Sequence, residues 1–216
     1  MTAHRHPSEE TLAAYAAGAL GAGPRLVVKS HLGGCSGCVE HVRAFEAIGG
    51  ALLESEPFEP APSDLLARTW ALIDASPPQR EPPPPSRLAP EPFPGAPQWL
   101  RRCAIGPWRF VQPGLRIAMV TPPGETEASA MLMRVSAGRR MPKHTHDGVE
   151  FTQVLSGVFY DSTGRYLTGD YIEADDEVEH QPVADEAQDC ICLAAIEGRL
   201  RLTSFAGRWA QSFLGF

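Results

Sequence analysis

The sequence predicts a multidomain α + β protein in which a small zinc-stabilised helical bundle precedes a β-sandwich or barrel. Three observations support this fold class. Apolar residues recur at helical spacing before residue 75, together with a cluster of cysteine and histidine. Thirteen of the 21 prolines fall between Pro57 and Pro97. After Trp99, short alternating apolar runs are separated by glycine and proline, as in an all-β domain.

Composition excludes several classes of protein. The net charge is −7, with both halves mildly acidic, so direct nucleic-acid binding is not expected and a basic protein partner fits better. No apolar run is long enough to span a membrane and the N-terminus has no signal-peptide pattern, so we expect a soluble, cytoplasmic protein. Five cysteines, an odd number, indicate a reducing compartment.

Four helices are predicted in the first 75 residues. Ser8 and the acidic residues after it form a helix-start signal, and Pro24 occupies the first position of a second helix. The predicted segments are 8–20, from Pro24 through His31, from Cys38 to about Glu54, and from Ser63 to Asp74. The last segment lies beyond three prolines and either packs on the bundle or acts as an arm that closes on a partner.

His31, Cys35 and Cys38 place three borderline or soft metal ligands within eight residues. If the backbone there is helical, positions i, i+4 and i+7 share one face and the three side chains converge. Structural zinc takes four such ligands in a tetrahedron, so a fourth must come from elsewhere. We favour His6, with His4 and His41 as alternatives. Such a short bundle buries little apolar surface, and zinc would supply the missing stability.

The remaining chain divides into a spacer and a β domain. Residues 76–97 are rich in proline and predict a polyproline II spacer without a core, which gives domains at 1–75 and 98–216. The predicted strands are Arg109–Val111, Leu115–Val120, Ala128–Val135, Phe151–Leu155, Val158–Tyr160, Asp170–Glu173, Cys190–Ile196 and Leu200–Phe205.

A second group of candidate ligands lies within this β region. His144 and His146 are two residues apart, so on a strand they face the same side; Glu150 and His180 follow them. Three imidazoles and one carboxylate at the mouth of a barrel form a metal-binding set. Zinc is our expectation, although iron or manganese suits these ligands as well.

Two family resemblances follow from these residues. The spacing Gly138, His144, His146, Glu150 and Gly157 resembles the first cupin motif at every defining position, which implies a jelly-roll fold. Gly169 to His180 resembles the second motif in part, with Asp175, Glu177 and Ala184 where cupins commonly have proline, glycine and asparagine. His31, Cys35 and Cys38, with His6 upstream, resemble the zinc-binding anti-sigma domain. The combination is the layout of ChrR-type anti-sigma factors.

That resemblance implies a function without enzymatic activity. The helical domain would bind and inhibit an extracytoplasmic-function sigma factor, as a 1:1 heterodimer, with zinc shaping the binding face. The cupin would be needed for a response to singlet oxygen or organic peroxide, through its metal or through Cys190 and Cys192, which are otherwise a packed, inert pair. The alternative is a metal-dependent cupin oxygenase or isomerase with a helical appendage.

Overall fold

The computed structural model describes residues 3–76 and 90–202. The first of these ranges contains four helices, α1 (Glu9–Ala16), α2 (Ala22–Leu32), α3 (Ser36–Ser55) and α4 (Leu65–Ala75). Ser8 caps α1 as predicted, because its hydroxyl accepts a hydrogen bond from the backbone N–H of Thr11. Among the described helices, none is both long and apolar enough to cross a membrane.

The backbone of the first ligand cluster differs from the expectation of one helical face. α2 ends at Leu32, and Cys35 is the extended N-cap residue of α3. The physical reason is the pair Gly33 and Gly34, which favours ending a helix over continuing it. His31, Cys35 and Cys38 are therefore brought together by a turn between two helices.

The second range forms ten strands in two antiparallel sheets. Their bounds are β1 (Ala104–Ile105), β2 (Arg109–Gln112), β3 (Leu115–Thr121), β4 (Ala130–Val135), β5 (His144–Ser156), β6 (Val158–Asp161), β7 (Gly164–Leu167), β8 (Tyr171–Ala174), β9 (Val183–Ala184) and β10 (Cys190–Leu202). The larger sheet has the order β1-β3-β4-β10-β5-β8, with β2 also paired to β3, and the smaller sheet has the order β7-β6-β9. The predicted sandwich is confirmed.

The two longest strands, β5 and β10, pair from end to end. The sequence predicted two separate strands in the β10 region because Gly198 looked like a break. In the structure Gly198 lies opposite Gly148, and both have positive φ angles. A Cβ on Gly198 would lie 1.5 Å from the carbonyl oxygen of Asp147, so glycine allows the strands to pass here without separating. The predicted end of this region, Phe205, lies outside the described residues.

The larger sheet is buried on both faces. On β10, Ile191, Leu193 and Ala195 belong to a core shared with the helices, whereas Cys190 and Cys192 belong to the interior of the sandwich. This alternation follows from the two-residue period of a strand. Leu26, Val27 and Val28 of α2 cover the outer face. The helical region thus packs directly on the β domain.

The predicted spacer is shorter than 76–97. Phe93 and Ala96 are only 4% and 7% exposed and belong to the same core as α2. A 3₁₀ turn, Gln98–Arg102, then buries Leu100 completely. The high proline content concealed these apolar anchors. Residues 77–89, which make up more than half of the predicted spacer, lie outside the described residues.

We predict that Gly23→Ala destabilises the packing of α2 on the sheet. The new Cβ would lie 2.0 Å from the carbonyl oxygen of Ser129 and 3.0 Å from the Cβ of Ala195, so the helix must move outward. Overpacking of this kind costs about 1–3 kcal/mol, measured as the free energy of unfolding in urea.

Gly50→Ala is the matched control for this substitution. Gly50 lies in α3 with open space around it, so alanine should be neutral or stabilising by up to about 1 kcal/mol. Equal free energies of unfolding for the Gly23→Ala variant and the unmodified chain would contradict the proposed close approach.

Candidate metal sites

The first candidate site joins three elements of the N-terminal region. His6 precedes α1, His31 lies near the end of α2, and Cys35 and Cys38 lie at the start of α3. His6 Nδ1 lies 3.4 Å from His31 Nε2 and from Cys35 Sγ, and 3.5 Å from Cys38 Sγ. Cys38 Sγ lies 3.4 Å from His31 Nε2. Four potential ligand atoms therefore converge on one point.

These separations fit tetrahedral zinc. Bonds of about 2.0 Å to nitrogen and about 2.3 Å to sulfur at tetrahedral angles place two nitrogens about 3.3 Å apart, nitrogen and sulfur about 3.5 Å apart, and two sulfurs about 3.8 Å apart. The alternatives to His6 do not enter the cluster: of the seven histidines, all within the described ranges, His4 and His41 lie outside both groups that could hold a metal. Both are exposed.

The ionisation of the first cluster also favours a cation. Burial lowers the pKa of His31, which keeps its imidazole neutral near pH 7 and available as a ligand. Burial and the neighbouring Cys35 together raise the pKa of the Cys38 thiol to about 12. A zinc ion would displace that proton, so metal binding here should release protons and weaken at low pH.

The β domain holds two of the first cluster's ligands in place. His31 Nδ1 lies 3.1 Å from the carbonyl oxygen of Gly169 and donates its proton there, which directs Nε2 into the cluster. The buried carboxylate of Asp170 accepts hydrogen bonds from the backbone N–H groups of His4 at 2.7 Å and Arg5 at 3.2 Å. The segment that carries His6 is thus fixed to the turn before β8.

The second candidate site lies inside the sandwich. His144, His146 and Glu150 project from β5, and His180 pairs with His144 through an isolated β-bridge. Glu150 Oε2 lies 2.6 Å from His146 Nε2 and 3.7 Å from Nε2 of each of the other two histidines. All four residues are buried.

The donors and acceptors of this second cluster leave a place for a cation. His144 donates its Nδ1 proton to the carbonyl oxygen of Pro142 at 2.8 Å, and His180 Nδ1 faces a carboxylate oxygen of Asp161 at 3.3 Å. Their Nε2 lone pairs then face each other at 2.9 Å, which is repulsive without a cation between them. His146 Nε2 and Glu150 Oε2 have no hydrogen-bond partner of good geometry.

Glu150 is ionised in this cluster. Burial alone would raise its pKa, but the imidazoles of His144, His146 and His180 around the carboxylate hold the pKa well below its usual range. Thr152 donates to the other carboxylate oxygen at 2.9 Å. An ionised carboxylate with three imidazoles fits a divalent metal.

A chain of contacts leads from the second cluster towards the first. Asp161, which faces His180, also accepts hydrogen bonds from the backbone and the hydroxyl of Thr163. The Thr163 hydroxyl bonds to Tyr166, and the guanidinium of Arg5 lies over the Tyr166 ring, 4.5 Å from its centroid. Arg5 directly precedes His6 of the first cluster.

All five cysteines are free. Cys190 and Cys192 are buried beside the second cluster, with their sulfurs 3.7 Å apart, and Cys103 is buried in the core below α2. The neighbouring Cys190 and burial raise the pKa of Cys192 well above its usual value, so its thiol stays protonated. This arrangement agrees with the interpretation of the pair as packed.

A third feature is the apolar surface of α3 and α4. No residue of α4 is buried, which favours an arm over a helix packed on the bundle. Trp70 is 58% exposed, and further large apolar side chains of both helices are exposed as well. The exposed apolar residues of this surface are Ile48, Leu52, Leu53, Phe58, Leu65, Leu66, Trp70, Leu72 and Ile73.

Helical bundle, sandwich and two ligand clusters define a two-domain protein with a cupin-like C-terminal part. Comparison with protein families agrees: residues 99–197 match the ChrR cupin-like domain and residues 8–38 match a putative zinc-finger family. The anti-sigma-E factor ChrR of Cereibacter sphaeroides is 40% identical over 215 residues, which is 99% of each chain. The chain therefore belongs to the ChrR family of anti-sigma factors.

A solved complex gives the same assignment. The crystal structure of Rhodobacter sphaeroides SigE in complex with the anti-sigma ChrR matches with 34% identity and a TM-score of 0.68. That match covers 91% of this chain and 100% of the other chain. An RmlC-like cupin protein from Ralstonia eutropha matches 52% of this chain and 80% of its own at 14% identity, with a TM-score of 0.38.

Sequence reasoning missed the residues that support the clusters. Asp161 has no spacing signal, because it lies 19 residues before its partner His180 on another strand. Asp170 was visible only as part of an incomplete second cupin motif. The carbonyl of Gly169 carries no side-chain signal, and only the tertiary structure shows that it orients His31.

We predict two metal equivalents per purified chain, one for each cluster. Cys35→Ser/Cys38→Ser should retain one equivalent, and His144→Gln/His180→Gln should retain the other. Inductively coupled plasma mass spectrometry of dialysed protein measures both. A strong chelator should reduce helix content in circular dichroism, because structural zinc contributes about 10–16 kcal/mol. No metal at the thiolate cluster, with helices retained in the chelator, would contradict the assignment.

Proposed function

We propose that this chain is an anti-sigma factor that binds and inhibits an extracytoplasmic-function sigma factor in a 1:1 complex. The observation that carries this proposal is the exposed apolar surface of α3 and α4. Many large apolar side chains exposed on two successive helices indicate a surface that a partner covers. Leu66, Trp70 and Ile73 lie at helical spacing on α4 and suit recognition in a groove of that partner.

The comparisons support the choice of partner. The relative that shares 40% identity is named as an anti-sigma factor, and the matching crystal structure contains a sigma factor bound to it. The net charge of −7 also complements a basic, DNA-binding partner. The same relatives favour regulation over the alternative of a cupin oxygenase or isomerase.

The first metal site would have a structural role. We propose that Zn²⁺ bound to His6, His31, Cys35 and Cys38 fixes the start of α3 relative to α1 and α2. Four protein ligands close the coordination sphere, as in structural sites, so no open position remains for chemistry. The position of this end of α3 then determines where the exposed apolar residues farther along the helix lie.

The second site would act in signal response. We propose that Zn²⁺ held by His144, His146, Glu150 and His180 is needed for release of the sigma factor under oxidative stress, caused by singlet oxygen or organic peroxide. A disturbance at His180 would reach the segment of His6 through Asp161, Thr163, Tyr166 and Arg5. The β domain would thereby loosen the bundle's hold on its partner.

We predict that Leu66→Ala/Trp70→Ala weakens sigma-factor binding by more than about 30-fold. Buried aromatic anchors contribute about 2 kcal/mol or more to an interface, and neither side chain supports the fold of the free chain. Isothermal titration calorimetry with the cognate sigma factor measures the dissociation constant.

The matched control on the same helix is Arg68→Ala. Among the described residues, the side chain of Arg68 pairs with Asp64 at 3.8 Å in an exposed position, so its loss should change the affinity by less than about threefold. Unchanged binding of the Leu66→Ala/Trp70→Ala variant would remove α4 from the interface.

We also predict that His144→Gln leaves sigma-factor inhibition intact but abolishes release on treatment with an organic hydroperoxide. His144 is a ligand of the second cluster only, so the apolar surface of α3 and α4 keeps its structure. In vitro transcription with and without the oxidant measures both properties. Equal loss of inhibition and response would indicate that the β domain contributes directly to binding of the sigma factor.

A further inference from the structure

One cavity of the sandwich collects nearly all of the chain's methionines. The cavity has a volume of about 280 Å³ and lies between β3, β4 and β10. Four of the five methionines in the sequence line it, namely Met119, Met131, Met133 and Met141. Met119 and Met131 are direct neighbours across the β3–β4 pairing. Such a concentration is unusual for a chain with so few methionines.

The cavity connects the protein surface with the second ligand cluster. Its mouth contains the exposed residues Ala128, Ser129 and Arg199, and its inner end contains His144. Met133, Met141 and His144 also line a smaller chamber of about 30 Å³ that contains Glu150 and His180. Most other lining residues are aliphatic. The cavity therefore suits a small apolar molecule with one polar group at its inner end.

We propose that this cavity admits an organic hydroperoxide with an apolar tail and that its methionine thioethers are oxidised there to sulfoxides. This proposal rests on the oxidative-stress response proposed above. It identifies the oxidant that starts the response and the side chains that the oxidant modifies. A thioether reacts without losing a proton, whereas a thiol must first become a thiolate. Met119, Met131 and Met141 keep part of their surface exposed, whereas Cys190 and Cys192 are buried.

The reaction balances without a further reductant. A sulfur lone pair attacks the terminal peroxide oxygen, the O–O bond breaks, and an S–O bond forms. Sulfur loses two electrons, and the proton of the hydroperoxide passes to the departing alkoxide. The products are one methionine sulfoxide and one alcohol.

Oxidation at this position would act on the helical region through β4. Met131 and Met133 face the cavity, whereas Leu132, which lies between them on β4, faces the core beneath α2. A sulfoxide is larger and polar, so placing it against an aliphatic wall favours displacement of the strand. Displacement of β4 changes the surface on which α2, and with it His31, is packed.

The test compares oxidants on the purified full-length chain. Cumene hydroperoxide and hydrogen peroxide are applied with N-acetylmethionine as an internal reference, and sulfoxide is mapped by peptide mass spectrometry. Relative to the reference, cumene hydroperoxide should oxidise the cavity methionines at least about 10-fold faster than hydrogen peroxide does, because its apolar ring is buried on binding. Equal relative rates for the two oxidants would overturn the proposal.

Two variants distinguish the role of the methionine sulfurs from the role of the cavity mouth through which the oxidant enters. Met131→Leu/Met133→Leu removes two thioethers at nearly constant volume, which a core tolerates well. Ala128→Trp narrows the mouth and keeps every sulfur. In the complex with the sigma factor, both should slow release by cumene hydroperoxide at least about 10-fold, and methionine sulfoxide reductase should restore binding to the oxidised unmodified chain.

The outcomes distinguish this inference from the proposed function. If no complex with a sigma factor forms, the proposed function fails, while selective oxidation in the free chain still supports the cavity chemistry. If the complex forms and both variants release the sigma factor as fast as the unmodified chain does, oxidation of the cavity methionines does not cause release and the inference fails.

Discussion

The packing of α2 on the outer face of the larger sheet is the constraint on which the rest of the structure depends. It makes one core out of helices, the segment 90–103 and the strands β3, β4 and β10. Gly23 allows the approach, since its hydrogen lies where any Cβ would meet the backbone of Ser129. Because α2 carries His31, the sheet also determines where the first ligand cluster forms. The β domain therefore determines the position of α2 and of the residues that α2 carries.

That arrangement connects the two ligand clusters through packed side chains. The first cluster receives one ligand from a helix packed on the sheet and another from a segment bound to Asp170. The second cluster reaches the same segment through Asp161 and its neighbours. Side-chain contacts and a shared core thus provide two separate routes between the proposed sensing and binding regions, one through β4 and α2, the other through Arg5.

Local sequence patterns predicted the helices, the sandwich and the eight candidate ligands. Each of these features is marked by residue types or spacings within a short stretch of sequence. Capping by Ser8, the spacing of His144 and His146, and the cysteine pair are of this kind. Long-range partners leave no such signal. The carbonyl of Gly169, the carboxylate of Asp161 and the burial of Phe93 depend on which segments meet in space. The strand break expected at Gly198 was wrong because the opposing Gly148 could not be known.

The isolation of α4 has a consequence for reversibility. A helix of 11 residues is marginal in water by itself, and every residue of α4 lacks burial in the free chain. Part of the energy of engaging a partner must therefore be spent on ordering this helix, which reduces the net affinity. An inhibitor built in this way would bind its target with less than the full contact energy of the interface, so a smaller distortion elsewhere would be enough to release the target.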